Sequence, residues 1–532
     1  MEPENQPAQA STPAPMPKGK TSLDKDLKKI ARVEAAAQAQ GQTMARIGLS
    51  MLFLLAVWIF TSVQGGPTFS PFVIAAAVIG GYMAMNIGAN DVANNVGPAV
   101  GSRALTLTGA IIIAAIFETA GALIAGGDVV STIKSSIIDP SLMPDSATFL
   151  TAMMAALLAA ALWLNLATFL GAPVSTTHSI VGGVMGAGIA ATGFEAVNWS
   201  TMGAIAASWV ISPLMGGVIA AAFLYFIKFT VMDKADKIAS AKRWVPIVVA
   251  IMAGAFTMYL MNKGIKHIYK ANWMEILAAG VAVYIATWGL MRVRVASRSV
   301  TMENRRKSVH QLFVVPLIFS AALLSFAHGA NDVANAVGPL AAIVSVSDTG
   351  QIVAKAGIPL WVMLVGAVGI SVGLLLFGPK LIKTVGQEIT KLNPVRAFCV
   401  ALSAAITVII ASAMGLPVSS THIAVGGVFG VGFLREYLAK KNAGAHVRPS
   451  PIAAVEAGAT GGMATLESVT PQLTVLSEED AAKARRKFRQ RKLVRRQHAW
   501  TIAAAWIITV PLAAGLSAIL YHLMRAVGVA PV

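Results

Sequence analysis

The chain has 532 residues, 56% of them hydrophobic and 12% charged, with a mean hydropathy of +0.69, a composition that excludes an ordinary soluble enzyme and calls for repeated membrane crossing. A net charge of +18 would suit a nucleic-acid partner, but the Lys and Arg gather in loops beside apolar spans, as the positive-inside rule requires, so no nucleic acid is expected. One cysteine, Cys399, rules out an intrachain disulfide and a Cys-rich metal centre.

Residues 1–46 are polar and rich in Pro, Gln and Ala, and read as a disordered cytoplasmic tail. The apolar stretch Ile47–Val63 begins too late for a cleaved signal peptide and leads a first repeat, 47–230. Within it, Leu105–Ala125, Phe149–Gly171 and Met202–Phe229 are clear spans. A connecting region, 231–311, carries the helix pair Val245–Met261 and Met274–Met291 between basic loops. The second repeat, 312–434, contains Pro359–Phe377 and Arg396–Met414, and a basic cytoplasmic loop, 435–498, precedes its final transmembrane helix, 499–532. In that loop the run from Glu478 through Lys483 to Arg496 reads as a basic helix against anionic lipid headgroups. About 12 crossings are expected, since Gly-rich pieces between the clear spans blur the count.

The string Gly-Ala-Asn-Asp-Val-Ala-Asn occurs at Gly88–Asn94 and again at Gly329–Asn335. Gly-Ala-Pro-Val-Ser-Thr-Thr-His at Gly171–His178 recurs as Gly-Leu-Pro-Val-Ser-Ser-Thr-His at Gly415–His422. Asp91 and Asp332 are offset by 332 − 91 = 241, and His178 and His422 by 422 − 178 = 244, so two distant motifs keep nearly one register. Gly121 falls opposite Gly369, and Trp209 opposite Trp506 once the basic loop has lengthened the offset. The expected fold is therefore an all-α polytopic membrane protein of two repeats with broken helices and re-entrant hairpins, the count of crossings between them favouring inverted-topology repeats over parallel ones, with the site at the repeat interface.

An ionised Asp flanked by carboxamides is costly inside a membrane, so writing it twice implies a paired polar site. Asn90, Asp91, Asn94 and Asn95, with Asn331, Asp332 and Asn335, supply the hard oxygens a small cation wants, and Gly97-Pro98 and Gly338-Pro339 should break both helices there. The hydroxyl clusters Ser175, Thr176, Thr177 and Ser419, Ser420, Thr421, each opening a helix, form a neutral, donor-rich cradle for a tetrahedral oxyanion. His178 and His422 are assigned to orientation or packing ahead of metal binding. Glu118 is an acid inside an apolar span whose partner position, Gly366 when Gly121 is paired with Gly369, is not acidic; it is a candidate cation or proton site. Arg103 is read as snorkelling. No Walker-type Gly-x-x-x-x-Gly-Lys-Ser/Thr loop and no catalytic constellation in a soluble segment is present, so neither enzymatic activity nor a cofactor is expected.

Together the duplicated strings resemble the inorganic phosphate transporter family called PiT, over roughly Pro71 to Met524. The resemblance implies a secondary symporter importing inorganic phosphate with a coupling cation, the proton favoured and sodium the alternative, across the cytoplasmic membrane. It also implies Ser175, Thr176, Thr177, Ser419, Ser420 and Thr421, with Asn94 and Asn335, as phosphate-binding residues. Asn90, Asp91, Asn331 and Asp332 fall on cation-coupling positions, to which the sequence adds Glu118, with sodium at Asp91 and Asp332 as the metal alternative. Phosphate, the cation and membrane lipids are the expected partners, a homodimer is compatible, and the basic loops place the N-terminus in the cytoplasm. A sulfate permease of the same fold is the alternative substrate class; a receptor or channel is the alternative function class.

Overall fold

The computed structural model describes residues 22–65, 70–170, 174–264, 269–352, 357–388, 392–445 and 496–528. These residues are helical almost throughout and form no strand, only an isolated bridge between Ile138 and Val197. Two compact units separate at Leu52 and Phe53, both crossed by helix α1, Ser22–Gly65. Residues 22–46, expected to be disordered, are helical, because Ala, Leu, Lys, Glu and Gln dominate that stretch and favour helix without any partner. Residues 1–21, and the basic run from Lys483 to Arg495, lie outside the described residues. Deleting Glu2–Gln40 is expected to leave the melting temperature of the purified protein within about 1 °C, since the second unit, Phe53–Val532, has its own core.

Eleven helices among the described residues are long and apolar enough to cross a membrane. Nine overlap the clear spans of the sequence; the other two, Pro71–Gly101 and Val314–Thr349, carry the Asn-Asp strings. The first is divided into α2, Pro71–Asn90, and α3, Val92–Gly101, at Asp91. The interruption is slight: Asp91 stays near helical dihedrals (φ −92°, ψ −32°), and its N–H still bonds to Ile87 O at 2.9 Å. The matching helix of the second repeat does not break. It runs unbroken from Val314 to Thr349, with Pro339 inside it, because its neighbours pack on every side and hold the segment helical across the lost bond.

Next come α4 (Leu107–Ala125), α5 (Gly127–Ser135), α6 (Ser146–Leu170), α7 (Thr176–Thr192), α8 (Trp199–Ile227), α9 (Lys237–Tyr259), α10 (Trp273–Ser299) and α11 (Arg306–Leu312). The helix Val314–Thr349 is α12; α13 (Leu360–Glu388), α14 (Pro394–Ala413), α15 (Ser420–Ala445) and α16 (Arg496–Ala526) complete the chain. Packing exchanges partners between the repeats: α2 lies on α13 and α12 on α4, while α7 lies on α16 and α15 on α8. Glycines make the exchange close. A Cβ on Gly329 would stand 2.1 Å from Glu118 O, and one on Gly121 1.9 Å from Phe326 O; the equivalent pair is Gly88 at 1.8 Å from Ile370 O and Gly373 at 2.0 Å from Met85 O.

These contacts correct one register. Gly121 matches Gly373 rather than Gly369, an offset of 373 − 121 = 252, and the hydroxyls of Thr119 and Ser371, equivalent by the same offset, bond to each other at 2.8 Å. Glu118 is thereby opposite Ile370 rather than Gly366, and remains an acid without an acidic counterpart. The other offsets hold, with Gly182 and Gly186 touching Val510 and Ala514 while Gly426 and Gly430 touch Pro213 and Gly217.

Candidate functional site

Two helices, α7 and α15, begin beside α2–α3 and α12. Each opens on a hydroxyl cluster whose first serine is a cap: Ser175 Oγ accepts from His178 N at 3.3 Å, and Ser419 Oγ from His422 N at 3.4 Å. The N-terminal ends of α7 and α15 therefore point their free N–H groups and positive dipole ends towards the Asn-Asp strings.

Asp91 joins the two hydroxyl clusters. Its Oδ2 accepts from Thr176 Oγ1 at 2.8 Å and its Oδ1 from Thr421 Oγ1 at 3.2 Å, one hydroxyl from each repeat. On the second side Ser420 Oγ lies 3.5 Å from Asp332 Oδ2, the bond equivalent to Thr176–Asp91 but looser. The carboxamides cross over: Asn94 Nδ2 donates to Thr421 Oγ1 at 2.8 Å, and Asn335 Nδ2 to Thr176 Oγ1 and Thr177 Oγ1 at 3.2 and 3.3 Å. Thr177 Oγ1 in turn donates to Val418 O at 3.0 Å, tying the first turn of α7 to the segment that precedes α15. Asn331 braces the backbone there, donating to Ser412 Oγ and Leu416 O at 2.9 and 3.1 Å and accepting from Val418 N at 3.1 Å. Asn90 makes none of these contacts.

Almost all of this polarity is buried, Asp91, Asp332, Asn331, Asn335, Thr176, Thr177 and Ser420 being 3% exposed or less. Asn94 and Thr421 are half-buried and form the accessible edge. Two acceptor oxygens one turn apart on α12, Asp332 Oδ1 and Asn335 Oδ1, have no hydrogen-bond donor. A buried acceptor left without a donor is costly, so these atoms are suited to a cation or to a protonated oxygen of a ligand.

One central residue has no warning in the repeat pattern. His328, directly before the second Asn-Asp string, sets Nδ1 2.6 Å from Glu118 Oε2 and Nε2 2.9 Å from Asp332 Oδ2. Glu118 Oε1 accepts from Asn95 Nδ2 at 2.8 Å, so a chain of polar groups runs from Asn95 through Glu118 and His328 to Asp332. Its equivalent in the other half is apolar, Ile87 against Ile370, and only a search for ionisable residues beside the motifs would have found it. Asp91, His328 and Asp332 place one ligand atom each within 4.8 Å of one another. His178 and His422 stand apart from that trio: His178 Nδ1 is 2.8 Å from Ser175 Oγ and its ring stacks on Trp209 at 3.8 Å, with His422 edge-on at 5.1 Å, in keeping with orientation. Arg103 is exposed in the turn after α3 and does not reach the cluster.

Comparison with known proteins places this chain in a family of transporters. The sequence profile of the phosphate transporter family matches residues 87–517. A protein of Helicobacter pylori, provisionally named a phosphate permease, is 47% identical over 522 residues, spanning 93% of this chain and 98% of its own. One from Pyrococcus abyssi with the same provisional name is 38% identical over 370 residues, 69% of this chain and 89% of its own. The solved structure of a protein described as the sodium-dependent phosphate transporter superposes with a TM-score of 0.70 at 32% identity, covering 86% of this chain and all of that one.

Proposed function

Since this chain belongs to the phosphate transporter family, we propose that it is a secondary symporter importing orthophosphate with sodium as the coupling cation. The observation that carries this reading is the convergence of Thr176, Thr177, Ser420 and Thr421 with Asp91 and Asp332, donors from both repeats beside two carboxylates. Phosphate is held by hydroxyls and helix N-termini, and the cation between the carboxylates offsets the repulsion each would exert on the anion. Neither partner is comfortable there alone, and that mutual need is the physical basis of coupling.

The proton was the first expectation because no basic residue lies within a helical turn of Glu118 along its own helix. His328 arrives from α12 instead and occupies Glu118 Oε2, while Asn95 occupies Oε1, which supports a bracing role for Glu118. The hard oxygens without donors, Asp332 Oδ1 and Asn335 Oδ1, support sodium, as does the sodium dependence of the structural relative. Inverted topology of the repeats is supported by Ser146 Oγ donating to Gly350 O at 3.0 Å, which sets the entry to α6 on the side where α12 ends.

The test is uptake of radiolabelled phosphate into proteoliposomes, with sodium and proton gradients imposed separately and sulfate as competitor. Uptake should follow the sodium gradient and resist sulfate. Uptake without any cation gradient would mark a channel, and sulfate competition at equal concentration a broader oxyanion permease. A flattened pH profile in Glu118→Gln, with uptake independent of sodium, would return the coupling to the proton. Thr421→Val removes a donor to Asp91 and the acceptor of Asn94, and Thr177→Val the link to Val418. Thr421→Val should raise the phosphate concentration for half-maximal uptake about tenfold or more, as expected for about 1.5–3 kcal/mol per hydrogen bond to a charged group, and Thr177→Val about fivefold, as expected for about 1 kcal/mol per neutral hydrogen bond.

A further inference from the structure

Helix α9 is fastened to its neighbours at both ends, and between those ends it leaves a space beside helices α8, α12 and α14. Past its last turn Lys263 Nζ donates to Asp128 Oδ2 at 2.8 Å and to Ala413 O at 3.0 Å, and the rings of Phe256 and Tyr259 meet Phe326 of α12 at 5.0 and 6.4 Å. From there back to Trp244 the space between α9 and helices α8, α12 and α14 is a cavity of about 610 Å³, lined by apolar groups such as Phe223, Phe226, Met252, Leu402 and Ile406. Val218, Ile251 and Ile410 on its rim are 57, 55 and 53% exposed, so it opens sideways from the bundle, where a membrane-spanning protein meets acyl chains.

We propose that this cavity is a lipid site, holding an acyl chain of an anionic phospholipid whose headgroup is met by Arg243. The occupant follows from shape and charge. Trp244 and Tyr259 both line the cavity, and the fifteen residue steps between them rise about 22 Å along α9, most of the roughly 30 Å of a hydrocarbon core. The lining is almost wholly apolar, Trp244 and Tyr259 at its two ends supplying the polar atoms, and an apolar space beside lipid is filled by lipid. At the Trp244 end the Arg243 guanidinium sits over the indole at 5.7 Å, and that indole packs edge-on against Phe226 at 5.0 Å. Lys242 and Arg243 are exposed, so two positive charges stand at the level where a tryptophan marks the interface. The bound chain props α12 and α14, which carry Asp332 and Ser412 into the cluster described above, and so gives lipid composition a route to that site.

Native mass spectrometry of the full chain, purified in mild detergent and offered equal phosphatidylglycerol and phosphatidylethanolamine, tests the assignment. The wild type should retain phosphatidylglycerol preferentially. Arg243→Gln should reduce that preference about fivefold. Ala255→Phe with Ala405→Phe fills the cavity and should abolish retention while the protein stays monodisperse. Equal retention of both lipids by the wild type, or an unchanged preference in Arg243→Gln, would overturn the proposal. So would a filled variant that keeps its lipid. If the filled variant does not fold, the exposed Arg243→Gln variant decides alone.

Discussion

Asp332→Asn is expected to abolish phosphate uptake, and Asp91→Asn to do the same, while both proteins remain folded and elute as the wild type does. Each carboxylate is 3% exposed or less, and within the cluster no Lys or Arg side chain offsets it among the described contacts. Removing one negative charge from a cation about 4 Å away costs about 4 kcal/mol at an effective dielectric constant near 20, or roughly a thousandfold in affinity. Stability should change little, because an amide is less costly to bury than a carboxylate, the hydroxyl partners of Asp91 can still bond to it, and His328 keeps Glu118 when Asp332 is replaced. Proteoliposome uptake against a size-exclusion profile checks both halves. Near wild-type uptake with unchanged cation dependence in either variant would reduce that aspartate to a structural cap.

Gly121→Ala or Gly329→Ala should have the largest effect on folding. A new Cβ would fall 1.9 or 2.1 Å from the backbone oxygens of Phe326 and Glu118, and backbone cannot rotate aside as a side chain can. Overpacking costs about 1–3 kcal/mol where side chains yield, so forcing α4 and α12 apart should exceed that range and draw Glu118 away from His328. Gly289 on α10 has nothing within 4 Å of its would-be Cβ, and Gly289→Ala is the control that should lose nothing. Yield of monodisperse protein and its melting temperature report the difference. Equal behaviour of Gly121→Ala and Gly289→Ala would mean that the close crossing is not required.

The candidate site was legible in the sequence wherever it was written twice. Asp91 and Asp332, Asn94 and Asn335, and Thr177 and Thr421 stood out because a polar residue kept in register across two membrane repeats is hard to explain as a local cap, and the structure brings all six together. The same argument was blind to His328 and Glu118 as a pair, because their counterparts are Ile87 and Ile370 and duplication says nothing of asymmetry. It also could not divide roles within a hydroxyl cluster. Ser175 and Ser419 are spent on capping, and Asn331 on the backbone around Leu416 and Val418, choices made by three-dimensional proximity. Register failed at Gly121 for a related reason: Gly366, Gly369 and Gly373 recur at helical spacing, and only the crossing contacts select among them. The expected break at the second Asn-Asp string failed because a helix buried on every side tolerates a proline that would end an exposed one.

The most direct test of the central claim is an experimental density map of the protein with arsenate, a heavier isostere of phosphate, and sodium. The account predicts a tetrahedral anion within hydrogen-bond reach of Thr177 and Thr421, with sodium density against Asp332 Oδ1 and Asn335 Oδ1. An anion bound instead at the basic loops or at Lys263, with the space between Asp91 and Asp332 closed, would contradict it.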